Sequence, residues 1–252
     1  MKHRINILFL TIVWFISAFF IADEQVKWIV TLGGTTVFFL VLSIGVIHFP
    51  FNYFIKATHR LNLDRVLLTF DDGPNDQTTP RILDALKAQN VSAVFFVIGK
   101  NAVEHPEIMQ RIVDEGHVIG NHTFSHPPLF AMLPTTKVRD EIKQCSAVLA
   151  ETTGIKTSLF RPPIGYTNPN ISRAVKELHL RPIGWSLRSF DTVLKDAVAL
   201  RKRLMKSIRP GMIVLLHDSL PQTAEMLPEL LTSLKEKGIT FATSEELKKW
   251  QS

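Results

Sequence analysis

The sequence predicts an α/β domain built on a parallel sheet, open or rolled into a barrel, behind two apolar helices. Three observations predict it. Two long uncharged runs lie near the N-terminus, short apolar runs alternate with helix-type spacing from Arg65 onward, and chemistry-bearing residues collect at the ends of the short runs. A length of 252 residues suggests one good-sized domain, with a second only if it is small. Hydrophobic residues at 46% and charged residues at 21% exclude disordered, collagen-like and low-complexity chains. The net charge of +6 divides into five Lys/Arg against three Asp/Glu over 1–64 (+2) and 24 against 20 over the rest (+4), too little in either part to call for a nucleic-acid partner. The single cysteine, Cys145, excludes an intramolecular disulfide partner and any site needing several thiolates, so a metal must be held by His and carboxylates.

The apolar runs come first in the chain. Residues 5–22 are 18 residues without a charge, and 28–49 are 22. As helices they reach about 27 and 33 Å, matching the roughly 30 Å hydrocarbon thickness of a bilayer. Only Asp23-Glu24-Gln25-Val26-Lys27 separates them, so the expectation is a transmembrane hairpin, helices about 5–22 and 28–49, within a membrane segment and linker spanning 1–64. The alternative for the first run is a cleaved signal peptide with Lys2 and Arg4 as its basic region. Lys2 and Arg4 before the hairpin and Lys56, Arg60 and Arg65 after it, against Lys27 alone between, put both ends in the cytoplasm and make the protein multi-pass in the cytoplasmic membrane. If only one segment spans, the main domain faces outward.

Over 65–252 the apolar runs 66–70, 93–98, 118–119, 158–160, 183–187, 213–216 and 239–241 read as strands. Segments 79–89, 106–115, 135–153, 170–179, 197–208 and 222–237 carry helical apolar spacing. In a parallel sheet of either form the site belongs at the C-terminal ends of the strands.

Five clusters fall there. In Thr69-Phe70-Asp71-Asp72-Gly73-Pro74 two adjacent carboxylates end a strand, a like-charged pair that asks for a metal or an arginine; the bland reading is an Asp-rich turn. His122-Thr123-Phe124-Ser125-His126 sets two imidazoles four apart, able to face one centre on a helical turn and, with one carboxylate, to leave coordination positions open. Arg161-Pro162-Pro163-Ile164-Gly165 is a proline-stiffened loop that fixes where an arginine and a backbone N–H point, unless it is a plain loop. Asp191 follows a strand, and in Leu215-Leu216-His217-Asp218 an ionisable histidine ends an apolar run. His3, His48, His59, His105, His117 and His179 stand alone and are assigned no role, since a lone histidine is more often structural.

Together the five clusters resemble, in order, the five motifs of the polysaccharide deacetylases of carbohydrate esterase family four, the NodB-homology domain, over Arg65 to the C-terminus. The resemblance implies a distorted (β/α) barrel of seven or eight strands as the catalytic domain, 65–252, and metal-dependent removal of an acyl group from an N-acylated sugar. It implies that Asp72, His122 and His126 hold a divalent metal, zinc first, with cobalt or nickel as alternatives. Asp71 would be the general base and His217 the general acid; Arg161 would orient Asp71, and Asp191 would keep His217 protonated. The N–H of Ile164 would help stabilise the oxyanion, and Leu215 would line the pocket for the acyl methyl.

These roles also suit amide cleavage on general grounds: water must be activated, the carbonyl polarised and the amine protonated as it leaves. Two positions depart from the family's fourth motif, Asp-x-x-Asp-Trp: Arg188 stands for the first Asp and Thr192 for the Trp. The missing indole leaves the acyl group open, with Phe190 or Trp185 expected to substitute. The leading expectation is an N-deacetylase of an N-acetylglucosamine-type glycan such as peptidoglycan or a chitin-like oligomer. A second is a deacylase, for example a deformylase, of a lipid-linked amino sugar at the membrane surface. A third is a catalytically inactive carbohydrate-binding homologue, for which a ligand or the acid should be missing; none is.

Overall fold

A computed structural model describes residues 2–62 and 64–250. Helices α1 (Lys2–Phe20) and α2 (Glu24–Ile47) pack as a hairpin. Both lie a few residues earlier than the uncharged runs, because Asp23 serves as the cap of α2, its carboxylate accepting from the Val26 N–H at 2.9 Å. Each is long and apolar enough to cross a membrane. Their seam is made of small and hydroxylic residues: Val13 fits against Gly34, and Ser17 Oγ lies 2.6 Å from Thr31 Oγ1. Phe19, Phe20, Trp28 and Ile29 face outward, exposed.

Among the described residues the domain holds seven strands: β1 (Leu67–Asp71), β2 (Ala93–Val97), β3 (Val118–Asn121), β4 (Leu159–Phe160), β5 (Arg181–Pro182), β6 (Leu187–Arg188) and β7 (Ile213–His217). They run parallel in the order β5-β4-β3-β2-β1-β7-β6 and curl into a half-barrel. The strands are apolar on both faces because both are covered. Leu68, Phe70, Phe95, Val97 and Leu216 pack outward against the helices, and Leu67, Val94, Phe96, Val118 and Ile213 fill the concave side. The helices are α3 (Thr79–Ala88), α4 (Gly99–Glu104), α5 (Pro106–Asp114), α6 (Thr135–Thr153), α7 (Pro169–Glu177), α8 (Ala197–Ser207), α9 (Pro221–Glu236) and α10 (Ser244–Lys248). Pro80, Pro106, Pro169 and Pro221 sit in the first turns of α3, α5, α7 and α9, where a missing N–H costs nothing, and Asn168 and Asp196 cap α7 and α8.

Two expected strands are corrected. Segment 183–187 is not one strand, since the chain leaves the ladder after β5 and re-enters only at β6. There the Gly184 carbonyl turns to accept from Arg161, and the His59 ring leaves no room for a side chain at 184. Segment 239–241 makes a single bridge, Val66 to Phe241, and no strand. The chain ahead of β1 is woven into the sheet: Thr58 bridges Ile183, Arg60 bridges Met212, and the Leu61 N–H donates to the Gly211 carbonyl at 2.9 Å. At the other junction the Thr167 N–H donates to the Val46 carbonyl of α2 at 3.1 Å, and the Phe49 ring meets that of Trp185 edge-on at 5.7 Å. The end of α2 thereby touches the loop that follows β4.

Candidate active site

Eight of the nine sequence-assigned positions lie in the loops or last residues at the carboxyl ends of the strands, and the ninth, Leu215, sits in the middle of β7 (Ile213–His217). The register sets Asp71 beside His217 of β7 on one side and beside Phe96 of β2 on the other. Asp72 then turns off the strand with φ +75°, a left-handed conformation that Asp tolerates, and the Asn101 side chain holds its carbonyl at 2.7 Å. After β3 the Asn121 carboxamide accepts from the Thr123 N–H at 2.8 Å and donates to the Ile142 carbonyl of α6 at 2.8 Å. Glu141, also on α6, takes both the N–H and the hydroxyl of Ser125, at 2.8 and 2.7 Å. These bonds pin the two-histidine loop at its middle.

Three side chains converge as a result. One ligand atom each from Asp72, His122 and His126 lies within 4.8 Å of the others, with Asp72 Oδ1 3.4 Å from His122 Nε2 and 3.6 Å from His126 Nε2. His122 donates through Nδ1 to the Arg161 carbonyl at 2.8 Å, which leaves Nε2 as the bare nitrogen facing Asp72. Asp72 Oδ1 is buried and has no hydrogen-bond partner. A buried carboxylate oxygen without a donor, facing two imidazole nitrogens, fits a divalent cation: two nitrogens and one oxygen are the donor set for zinc and its neighbours, with open positions left over.

The other two pairs flank this centre. Arg161, 0% exposed, donates from Nη1 to Asp71 Oδ1 at 2.6 Å and to Thr69 Oγ1 at 2.9 Å, from Nε to the Ile183 carbonyl at 3.0 Å and from Nη2 to the Gly184 carbonyl at 2.9 Å. Its guanidinium carbon lies 4.1 Å from the Phe96 ring centre. Asp71 is fixed by this fork, with its other oxygen 3.9 Å from His122 Nε2. On the opposite side His217 Nδ1 donates to Asp191 Oδ1 at 2.8 Å, and Asp191 Oδ2 accepts from the His217 N–H at 2.8 Å and from Thr223 at 3.0 Å. Burial disfavours the imidazolium, but Asp191, Asp71 and Asp72 outweigh it and raise His217 to about 9. Burial likewise opposes ionisation of Asp72, and His122, His217 and His126 more than reverse it, so its carboxyl is held well below the usual range.

A cavity of about 180 Å³ opens on these groups, lined by Asp71, Asp72, His122, His126, His217, Leu215, Ile164, Gly165, Trp185, Arg188 and Thr192. Ile164 has φ +61°, unusual for a β-branched residue, and Gly165 has φ +81° with the Trp185 ring against its α-carbon. Trp185 is therefore a wall of the cavity; Phe190 is not in the lining and lies under the guanidinium groups of Arg188 and Arg203. Asp218, next to His217 in the chain, is 1% exposed and not in the lining: it accepts from Thr79 Oγ1 at 2.7 Å, and burial pushes its carboxyl up to about 7. Sequence reasoning missed Asn101, Asn121, Glu141, Gln222 and Thr223, which hold the site residues; each looks like an ordinary surface polar residue until the fold brings it in.

A half-barrel of alternating strands and helices with these five clusters at its strand ends defines the class, and the chain belongs to the polysaccharide deacetylase family, carbohydrate esterase family four. The family model described as Polysaccharide deacetylase matches residues 59–183. Among curated relatives, the chain is 37% identical over 183 residues to the peptidoglycan-N-acetylglucosamine deacetylase PgdA of Listeria monocytogenes, covering 73% of this chain and 38% of that protein. It is 35% identical to the peptidoglycan-N-acetylglucosamine deacetylase of Bacillus cereus, covering 77% and 73%. It is 34% identical to the peptidoglycan-N-acetylmuramic acid deacetylase PdaA of Bacillus subtilis, covering 72% and 70%. The chain thus spans little more than a third of the Listeria protein. A solved family-four pseudoenzyme from Bacillus anthracis superposes with a TM-score of 0.70 at 29% identity, covering 76% of this chain and 68% of that one.

Proposed function

We propose that this chain is a metal-dependent N-deacetylase that hydrolyses the acetamide of an N-acetylated amino sugar in a peptidoglycan-type glycan, carried by a catalytic domain over 65–252 behind a membrane hairpin over 1–64. The observation that supports it is the meeting of three sets at one 180 Å³ cavity: Asp72 with His122 and His126, Asp71 with Arg161, and His217 with Asp191. A divalent ion on the first set, zinc first and cobalt or nickel next, supplies Lewis acidity, lowering the pKa of water from about 15.7 to near 7 and polarising the amide carbonyl. Asp71, held by Arg161, takes the proton from the attacking water. Leu215 floors the space for the acyl methyl. The Ile164 N–H donates to the oxygen on which charge develops, a contact of a kind worth roughly 2.7 to 4 kcal/mol. His217, kept cationic by Asp191, gives its proton to the amine as the C–N bond breaks.

The test uses the full chain purified in detergent, loaded with zinc or cobalt and assayed for metal content and for acetate released from acetylated glycan oligomers. Asp71→Asn and His217→Ala should each lower release by at least about 10²-fold with metal retained. Asp72→Asn and His126→Gln should lower metal content itself. A metal-loaded chain that releases no acyl group from any sugar amide refutes the reading and favours a catalytically inactive, carbohydrate-binding homologue.

One observation favours a second reading, in which the substrate is a lipid-linked amino sugar. The carboxyl end of α2 is hydrogen-bonded to Thr167 and packs through Phe49 on Trp185, a wall of the cavity. If α2 spans the bilayer, the cavity mouth lies at the membrane surface. Comparing acetate with formate release from lipid-linked and polymeric substrates separates the two.

A further inference from the structure

Arg188 is the residue at which this chain puts a cation where the family's motif has an aspartate. It ends β6, and its register partner is Leu215 of β7, so it shares the cavity with Leu215 and His217. Every other charge in the lining has a counterpart: Asp71 with Arg161, Asp72 with His122 and His126, and His217 with Asp191. Among the described residues the exposed Arg188 side chain has neither an ion-pair nor a hydrogen-bond partner; its guanidinium carbon lies 5.6 Å from the Phe190 ring centre. The same ring carries Arg203 at 4.7 Å.

A guanidinium that lines the cavity without a counter-charge is free to take the negative charge of a ligand. Thr192, in place of a broad indole, leaves room beside it. The planar fork matches a carboxylate or a phosphate through two parallel bonds, a match a lysine cannot make. We infer that Arg188 anchors an anion subsite beside the scissile amide, so that the substrate is an N-acylated amino sugar with an acidic substituent on the same or the adjoining ring. The inference rests on the deacetylase reading and sharpens it to a substrate class. The anion has two chemical sources, a carboxylate such as the lactyl ether group of a muramic-type sugar and a phosphate ester such as the one that joins a sugar to a lipid.

The experiment gives the metal-loaded full chain in detergent three substrates with the same acetamide: a neutral N-acetylglucosamine oligomer, a glycan oligomer containing N-acetylmuramic acid, and N-acetylglucosamine 1-phosphate. Acyl release and equilibrium binding are both measured. At least one acidic substrate should exceed the neutral one by roughly tenfold or more in kcat/KM, mostly through KM. Which of the two does so identifies the source of the anion. Arg188→Gln should cut the acidic-to-neutral ratio by roughly 10- to 100-fold, the scale of a charge-assisted contact, and Arg188→Glu should invert it. Raising the salt from about 50 to about 500 mM should shrink the preference. An acidic-to-neutral ratio near one in the unaltered chain, or one that survives Arg188→Gln in a variant whose thermal unfolding is unchanged, overturns the subsite. Absence of hydrolysis together with Arg188-dependent binding of the acidic sugars overturns the catalytic reading alone.

Discussion

The pairing of Arg161 with Asp71 can be weighed in a double-mutant cycle on the metal-stripped full chain. Both partners are buried, 0% and 4% exposed, and their shortest contact is 2.6 Å. Arg161→Met keeps most of the side-chain volume and removes the cation, leaving a buried unpaired carboxylate, which costs roughly 3–5 kcal/mol. It also orphans the Ile183 and Gly184 carbonyls, to which Nε and Nη2 donate at 3.0 and 2.9 Å. Asp71→Asn keeps an amide oxygen to accept from Nη1 but leaves the buried guanidinium without its counter-charge. In the double variant an uncharged thioether faces a neutral amide, and the penalty for the stranded carboxylate disappears. The double variant should therefore be more stable than the sum of the single losses predicts, by about 2–3 kcal/mol. Near-UV circular dichroism during heating reads it: at roughly 2–4 °C per kcal/mol for a domain of this size, Arg161→Met should lower the Tm by about 6–20 °C, and adding Asp71→Asn should recover part of that. Single effects that add to within ~0.5 kcal/mol would show that Arg161 does not hold Asp71, and its positioning role would fall.

Two further outcomes are expected. His117 is 4% exposed and accepts the Ala93 N–H at 3.2 Å; burial lowers its pKa from 6.5 to about 4 against the pull of Glu115. The stability its neutral ring contributes is complete above pH 6.5 and is lost as pH falls towards 4, about 3 kcal/mol in all, so unfolding across that window should show the slope and His117→Asn, which keeps an acceptor, should flatten it; an unchanged slope refutes this. Gly165→Ala should cost about 2–4 kcal/mol, combining a positive φ with a methyl that would clash with the Trp185 ring, and a wild-type Tm would mean that the Trp185 wall yields freely.

The residues of the candidate site were legible in the sequence because their types are out of place: Asp71 and His217 end apolar runs, and an apolar strand has no local use for them. The helices with strong apolar spacing and proline starts were legible for the same local reasons. What a periodic pattern cannot carry is pairing. Nothing in 183–187 reveals that Gly184 must leave the ladder to meet Arg161, and Phe241 looks like a strand residue although it bridges at one position only. α10 was missed because it is five residues long, yet its capping box, Thr243 with Glu246, is a sequence-level start signal. Glu141 gave no sign, since a carboxylate on an amphipathic helix ordinarily faces water. The bond from Thr167 to the end of α2 joins residues over a hundred positions apart and depends on the whole fold.

The clamp of Glu141 on Ser125 bears on how the proposed metal site would be filled. Because the loop between the two imidazoles is already tied to α6 by bonds at 2.8 and 2.7 Å, ligation need not nucleate any part of the chain. Unlike a zinc finger, whose fold and cargo arrive together, a site held by such bonds would not need its ion in order to fold, so on the proposed reading a chelator should abolish acyl release without lowering the Tm, and added cation should restore it.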